Sequence, residues 1–183
     1  MATEVAILTR AWVPGKSKRE ISSVTSSFVL MTWNHLADGL DVHGGFDVAD
    51  PSCLEWASRA PKIEQEIRDC AADIFCLQEA NHTDLMAPMF SEYAMLVAPK
   101  LDSAAVHLGS APPDGCAMFI KRKRFKIQGV KIHYYHDLSG ELSNQNAIFA
   151  YVLDTQSGKE LIVVSKNYDI CSNYHNHCFL LKD

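Results

Sequence analysis

The chain of 183 residues predicts an α/β fold, on three observations. Two short apolar runs rich in strand formers, Phe28–Trp33, which stops at Asn34, and Asp73–Glu79, close on polar residues. Between them, residues 54–70 keep an apolar spacing of three to four, the period of a helix. A strand, helix, strand order of this kind is a crossover unit, which places parallel strands in one sheet. The third observation is that everything after about residue 92 reads as strands.

Taken in order, the elements are these. Residues 1–25 combine Arg10, Lys16, Lys18 and Arg19 with Ser and Thr, and read as a disordered lead-in or a weak mitochondrial targeting segment. The first strand ends at Asn34, and Asp38-Gly39 and His43-Gly44-Gly45 mark a loop. Ser52 and Glu55 have the spacing of a capping box for the helix. Leu54, Ala57, Ala60, Ile63, Ile67 and Cys70 form its apolar stripe, and Pro61 predicts a kink or a restart there. A second helix falls within Asp84–Glu92, with Leu85, Met86, Met89 and Phe90 inward.

The later strands are Tyr93–Ala98, Gly115–Lys121, Lys126–His133, Ala147–Asp154 and Glu160–Ser165. The turn Thr155-Gln156-Ser157-Gly158 makes the last two a hairpin. Residues 101–113, with Gly109, Pro112 and Pro113, read as a loop. The domain therefore spans 26–165, and 166–183 reads as a divergent tail with no strand to finish a sheet. Phe28, Leu30, Ile74, Cys76, Ala117, Phe119, Phe149, Tyr151, Ile162 and Val164 are the expected core.

Composition narrows the function classes. The chain has no apolar run of membrane-spanning length, so no helix crosses a membrane. The net charge of −5 means that any nucleic-acid contact rests on a local site. Six cysteines without a CxxC pair, four of them in apolar surroundings, fit a reducing compartment without disulfides, hence the cytoplasm. Lys121-Arg122-Lys123-Arg124 with Lys126 is either a phosphate-binding patch or a solvated hairpin end. Cys171, His175, His177 and Cys178 have no standard zinc spacing. His136 and Asp137 read as a surface turn beside Ser139-Gly140.

Chemistry points to the carboxyl ends of the two buried strands, where ligands bind in open α/β sheets. Glu79 there is a hard-cation ligand of the kind Mg²⁺ takes, and Asn34 a donor to a phosphate or a metal-bound water.

With their neighbours these residues carry a resemblance. Trp33-Asn34-His35-Leu36-Ala37, Trp56, Arg59, Asp73-Ile74-Phe75-Cys76-Leu77-Gln78-Glu79 and Pro113-Asp114-Gly115-Cys116-Ala117-Met118-Phe119 resemble the endonuclease/exonuclease/phosphatase family, within it the nocturnin and CCR4-type deadenylase branch. The match runs from about Val29 to Ser165. It implies the N-terminal half of a two-sheet α/β sandwich and a Mg²⁺-dependent hydrolase of phosphodiesters or phosphate esters. The substrate it implies is poly(A) RNA, degraded 3′ to 5′, or a nucleotide such as NADP(H), relieved of its 2′-phosphate.

By the same resemblance Glu79 is the metal ligand and Asn34 lies beside metal and scissile phosphate. Lys100 contacts substrate phosphate, Asn146 lines the site and Asp114 lies near the substrate. The departures lie downstream. Ser165-Lys166-Asn167-Tyr168 replaces a Thr-His-Leu segment, and the family's Asp-x-Asn and Ser-Asp-His segments have no counterpart before Asp183. Those segments supply the general base, its orienting Asn and the catalytic His. The expectation is an incomplete hydrolase with little or no turnover, most of the second sheet missing and one face of the first sheet bare, hence marginally stable; the alternative is a non-catalytic form that acts only by binding or is unstable.

Overall fold

The computed structural model describes residues 26–41 and 50–167, and the backbone of 169–170, 173–174 and 177–181. The 1–25 segment, His43-Gly44-Gly45 and the cysteine and histidine side chains of the tail lie outside the described residues.

β1 (Leu30–Asn34) leads through a short 3-10 turn (Pro51–Leu54) into α1 (Trp56–Cys70), and the chain returns in β2 (Ile74–Gln78). β1 and β2 are parallel, with Leu30 opposite Ile74 and Asn34 opposite Gln78, as a crossover unit requires. The expected capping box is not the cap of α1: Asp50 caps the 3-10 turn, its side chain accepting from the Ser52 N–H, and the N-cap of α1 is Glu55, which makes no side-chain cap bond. Pro61 lies inside α1, which runs as one helix rather than restarting. α1 ends where Ala71 turns left-handed (φ 50°), and buries Ile63 and Ile67.

α2 (Thr83–Met89) buries Met86, but Leu85 faces solvent. β3 (Tyr93–Pro99), α3 (Ala104–Gly109) and β4 (Gly115–Lys121) follow. The short helix α3 stands within the segment expected as a loop; six residues give too little period to read. The first sheet has the order β1-β2-β4-β3, with β4 antiparallel to both neighbours.

β5 (Phe125–His136), β6 (Leu142–Asp154) and β7 (Lys159–Asn167) form a meander, and β6 turns into β7 at the expected hairpin. β10 (His177–Leu181) then pairs antiparallel with β7, from His177 opposite Lys166 to Leu181 opposite Ile162. The second sheet is β10-β7-β6-β5, and β8 (Asp169–Ile170) pairs with β9 (Asn173–Tyr174). The tail thus contributes a strand, contrary to the sequence expectation. Its backbone satisfies the open edge of β7, a pairing that alternation in the tail did not announce.

The two sheets pack face to face. Ile74, Cys76, Met118 and Ile120 of the first meet Ile148, Ala150, Val152 and Val163 of the second. The opposite face of the first sheet carries Phe75, Leu77 and Phe119 against Ile63, Ile67 and Met86 of the helices. Both faces of the first sheet are therefore covered, and the second sheet is present, which corrects the bare face expected above. Phe75 and Phe119 stack at 4.4 Å between ring centres.

Of the expected core, Ile74, Cys76, Ala117 and Phe119 are fully buried and Val164 nearly so. Phe28 and Leu30 are half-buried at its margin. Phe149, Tyr151 and Ile162 are half-buried and line a depression with Gly129, Lys131 and His133, while the alternate residues Ile148, Ala150 and Val152 are buried. Residues 147–152 are apolar at every position, so alternation could not choose the face.

Candidate active site

The parallel pair β1 and β2 ends at one edge of the first sheet. There Asn34 Nδ2 donates to Glu79 Oε1 at 2.6 Å, and Asn34 Oδ1 accepts from the Leu36 N–H at 3.0 Å. The two bonds fix which way the amide points. Glu79 sits just past β2 in the left-handed region (φ 52°), an uncommon place for a residue with a Cβ.

The next strands bring the other residues into line. Ala80 and Gly115 exchange backbone hydrogen bonds of 2.9 and 3.1 Å, and the Lys100 N–H donates to Asp114 O at 2.8 Å. Asn34, Glu79, Asp114 and Lys100 therefore lie in one row across β1, β2, β4 and β3. At about 4.8 Å per strand, the Glu79 and Lys100 backbones are roughly 10 Å apart. Close approach at this edge requires Gly115: a Cβ there would lie 2.1 Å from Ala98 O.

Asp114 is wholly buried. Lys100 Nζ lies 2.7 Å from its Oδ2, and Ser103 Oγ donates to its Oδ1 at 2.6 Å. The carboxylate is therefore behind Lys100, engaged through both oxygens. Asn146, on β6, is also wholly buried, and its Nδ2 donates to Ala98 O at 3.0 Å. It fastens the second sheet to β3 beneath the row. Cys116 packs beside it, with Sγ 3.9 Å from Asn146 O, and burial pushes this thiol up to about 12.

Sequence reasoning missed several residues that hold this edge. Gln78 is wholly buried; its Nε2 donates to Ser165 Oγ at 3.2 Å and to Thr32 Oγ1 at 3.3 Å. Ser165 thus ties the end of β7 to the end of β2. The polar end of an otherwise apolar strand was the available signal. Arg59, quoted above only for its resemblance, secures the loop after β1. Its Nη1 donates to His35 O at 3.0 Å and Leu36 O at 2.7 Å, and its Nε to Leu54 O at 2.6 Å. Burial, helped by the Arg59 charge, lowers His35 to about 4. Trp56 stacks on His82 at 4.6 Å between ring centres, and His82 Nε2 meets Asp38 Oδ2 at 2.8 Å.

The cationic run does not behave as a unit. Arg124 points inward, pairing with Asp73 at 3.1 Å and Asp154 at 3.2 Å, and Lys121 lies 3.3 Å from Asp73. Arg124 is thus neither a patch residue nor a solvated one. Asp137 does open a turn, its carboxylate accepting from the Ser139 and Glu141 N–H groups, whereas His136 is the last residue of β5, opposite Leu142.

Among the described residues no three His, Cys, Asp or Glu side chains gather to cage a metal. Mg²⁺ needs no such cage, since it keeps several waters and binds through one or two carboxylates. Glu79 is half-buried, and its carboxylate, with Asn34 on Oε1, could hold such an ion.

Nocturnin of Drosophila melanogaster is 34% identical over 140 residues, 74% of this chain and 22% of that protein. The CCR4-Not complex 3′-5′-exoribonuclease subunit Ccr4 of Neurospora crassa is 27% identical over 146 residues, 74% of this chain and 18% of that protein. The human Nocturnin catalytic domain superimposes with a TM-score of 0.67 at 28% identity, over 79% of this chain and 50% of that one. ANGEL2, a 2′,3′-cyclic phosphatase, shares the fold, with a TM-score of 0.66 at 19% identity over 78% of this chain and 41% of that one. The chain thus spans half of a solved catalytic domain and about a fifth of these two curated relatives. The Endonuclease/Exonuclease/phosphatase family pattern matches residues 31–168, and the chain belongs to that family.

Proposed function

We propose that this chain carries the metal-binding and phosphate-binding edge of a Mg²⁺-dependent hydrolase of nocturnin type. The substrate is poly(A) RNA, shortened 3′ to 5′, or a nucleotide such as NADP(H), losing its 2′-phosphate. The observation that carries the reading is the row of Asn34, Glu79 and Lys100 at one sheet edge, with Asn34 bonded to Glu79 at 2.6 Å. Mg²⁺, when bound, would stabilise the charge that develops on the phosphoryl group and its leaving oxygen. Glu79 holds the ion, and Asn34 orients the Glu79 carboxylate. Lys100 binds a substrate phosphate.

A positioned general base is the part that these residues do not supply, and its loss costs about 10²–10⁴-fold in rate. The 183-residue chain alone is therefore proposed to bind substrate in the cytoplasm without appreciable turnover. The test compares the chain with a form extended by the rest of a family domain. We expect Mg²⁺-dependent release of AMP from poly(A), or of phosphate from NADP⁺, in the extended form only. Glu79→Gln should abolish it with the circular dichroism spectrum unchanged. Full activity in that variant would remove Glu79 from the metal site, and the two substrates assayed side by side decide between RNA and dinucleotide.

A further inference from the structure

We propose that Asp114 is a positioning residue that aims the Lys100 ammonium, with Ser103 locking the Asp114 carboxylate in place. This rests on the reading of Lys100 as a phosphate ligand and assigns Asp114 and Ser103 a role beyond it. Asp114 has no exposed surface, so it reaches no substrate directly. Its Oδ2 lies 2.7 Å from Nζ of Lys100, whose side chain is 14% exposed. Lysine is a compact charge on a flexible four-carbon stem and does not aim itself. An ammonium has three donors. The ion pair with Asp114 Oδ2 holds the ammonium and leaves those donors for phosphate oxygens.

Ser103 carries the second half of the inference. It is 3% exposed, and its hydroxyl donates to Asp114 Oδ1 at 2.6 Å and accepts from the Asp114 N–H at 3.0 Å. Ser103 stands at the N-cap of α3, yet its side chain makes no cap bond to that helix. A serine there ordinarily accepts from the first helical turn. This one is turned onto the carboxylate instead. Buried ion pairs are seldom needed for stability, since apolar residues of like volume serve as well. A pair whose acid is wholly buried and whose base reaches the surface suits aiming.

The competing geometry is sequestration, in which Asp114 withholds Lys100 from phosphate. The two differ in sign. The test uses the full 183-residue chain as wild type, Lys100→Met, Asp114→Asn and Ser103→Ala. AMP is titrated at low salt and followed by NMR. The clamp predicts that Asp114→Asn weakens AMP binding about tenfold, the scale of one charge-assisted hydrogen bond. It also predicts that the double variant with Lys100→Met is no weaker than Lys100→Met alone. Tighter AMP binding in Asp114→Asn overturns the clamp in favour of sequestration.

Acetylation by acetic anhydride, mapped by peptide mass, reads the tether without any ligand. Lys100 should react several-fold more slowly than the exposed Lys123, and its rate should rise in Asp114→Asn and Ser103→Ala. Unchanged rates in both variants overturn the clamp, and Ser103→Ala alone decides should Asp114→Asn not fold. AMP binding that is absent, or unmoved by Lys100→Met, removes the phosphate role of Lys100 itself. The acetylation rates then still decide whether Asp114 and Ser103 hold it.

Discussion

Replacing Arg124 by methionine should destabilise the fold by about 3–5 kcal/mol, the range for stranding a buried charge by removing its partner. The site justifies that range. Arg124 Nε and Nη2 reach the two oxygens of Asp154 at 3.2 and 3.3 Å, Nη1 reaches Asp73 at 3.1 Å, and Nη2 also reaches Ser26 Oγ at 2.9 Å. The side chains of Arg124, Asp73 and Asp154 are 8%, 15% and 3% exposed, so solvent screens the pairs little. Asp73 precedes β2 and Asp154 ends β6, so one guanidinium joins the two sheets at the end away from the candidate site.

Without it Asp154 would keep neutral donors, the Gln156 N–H and the Ser157 hydroxyl, and Asp73 would keep Lys121 and the Val29 N–H. With a urea slope of about 2 kcal/mol per molar, the unfolding midpoint should fall by roughly 2 M. Tryptophan fluorescence in urea at pH 7 measures it.

The pH dependence gives the prediction a second edge. Burial alone would raise the Asp154 carboxyl, but bonds from Arg124, Ser157 and the Gln156 N–H bring it below its ordinary 3.8. A carboxyl held low in the folded state adds stability above its unfolded value and loses it as pH falls through the folded one. The gap between wild type and variant should therefore be full at neutral pH and narrow below 3.8. Asp154→Asn combined with Arg124→Met should cost less than the sum of the two. A loss under about 1 kcal/mol, the scale of surface pairs, with no narrowing in acid, would refute the reasoning.

Two further outcomes test the packing. Gly115→Ala should cost about 1–3 kcal/mol by overpacking, because the new Cβ would meet backbone at Ala98 and Pro99 rather than yielding side chains; a wild-type thermal midpoint would show that β3 and β4 have slack. Cys116, buried and pushed up to about 12, should resist a disulfide reagent at pH 8 until the protein unfolds, while the exposed Cys53 reacts at once. Peptide mapping of the modified thiols reads both, and native labelling of Cys116 would contradict its burial.

The sequence by itself determined the local elements and the chemical candidates. The two strands that close on Asn34 and on Gln78-Glu79, the helical stripe of Ile63 and Ile67, and the hairpin at residues 155–158 were legible from apolar period and turn chemistry. Glu79 and Asn34 were legible as polar residues closing buried runs. Only the tertiary structure decided which of them meet. Asn34 and Glu79 are 45 residues apart in sequence and bonded in the fold, because parallel strands end at one edge. Arg124 read as a surface cation, since sequence cannot show that two aspartates enclose it, nor that Lys100 covers Asp114. The face of β6 and the strand in the tail were likewise undecidable locally. An all-apolar strand has no preferred side until a sheet packs on it, and an edge strand is defined by the partner it finds.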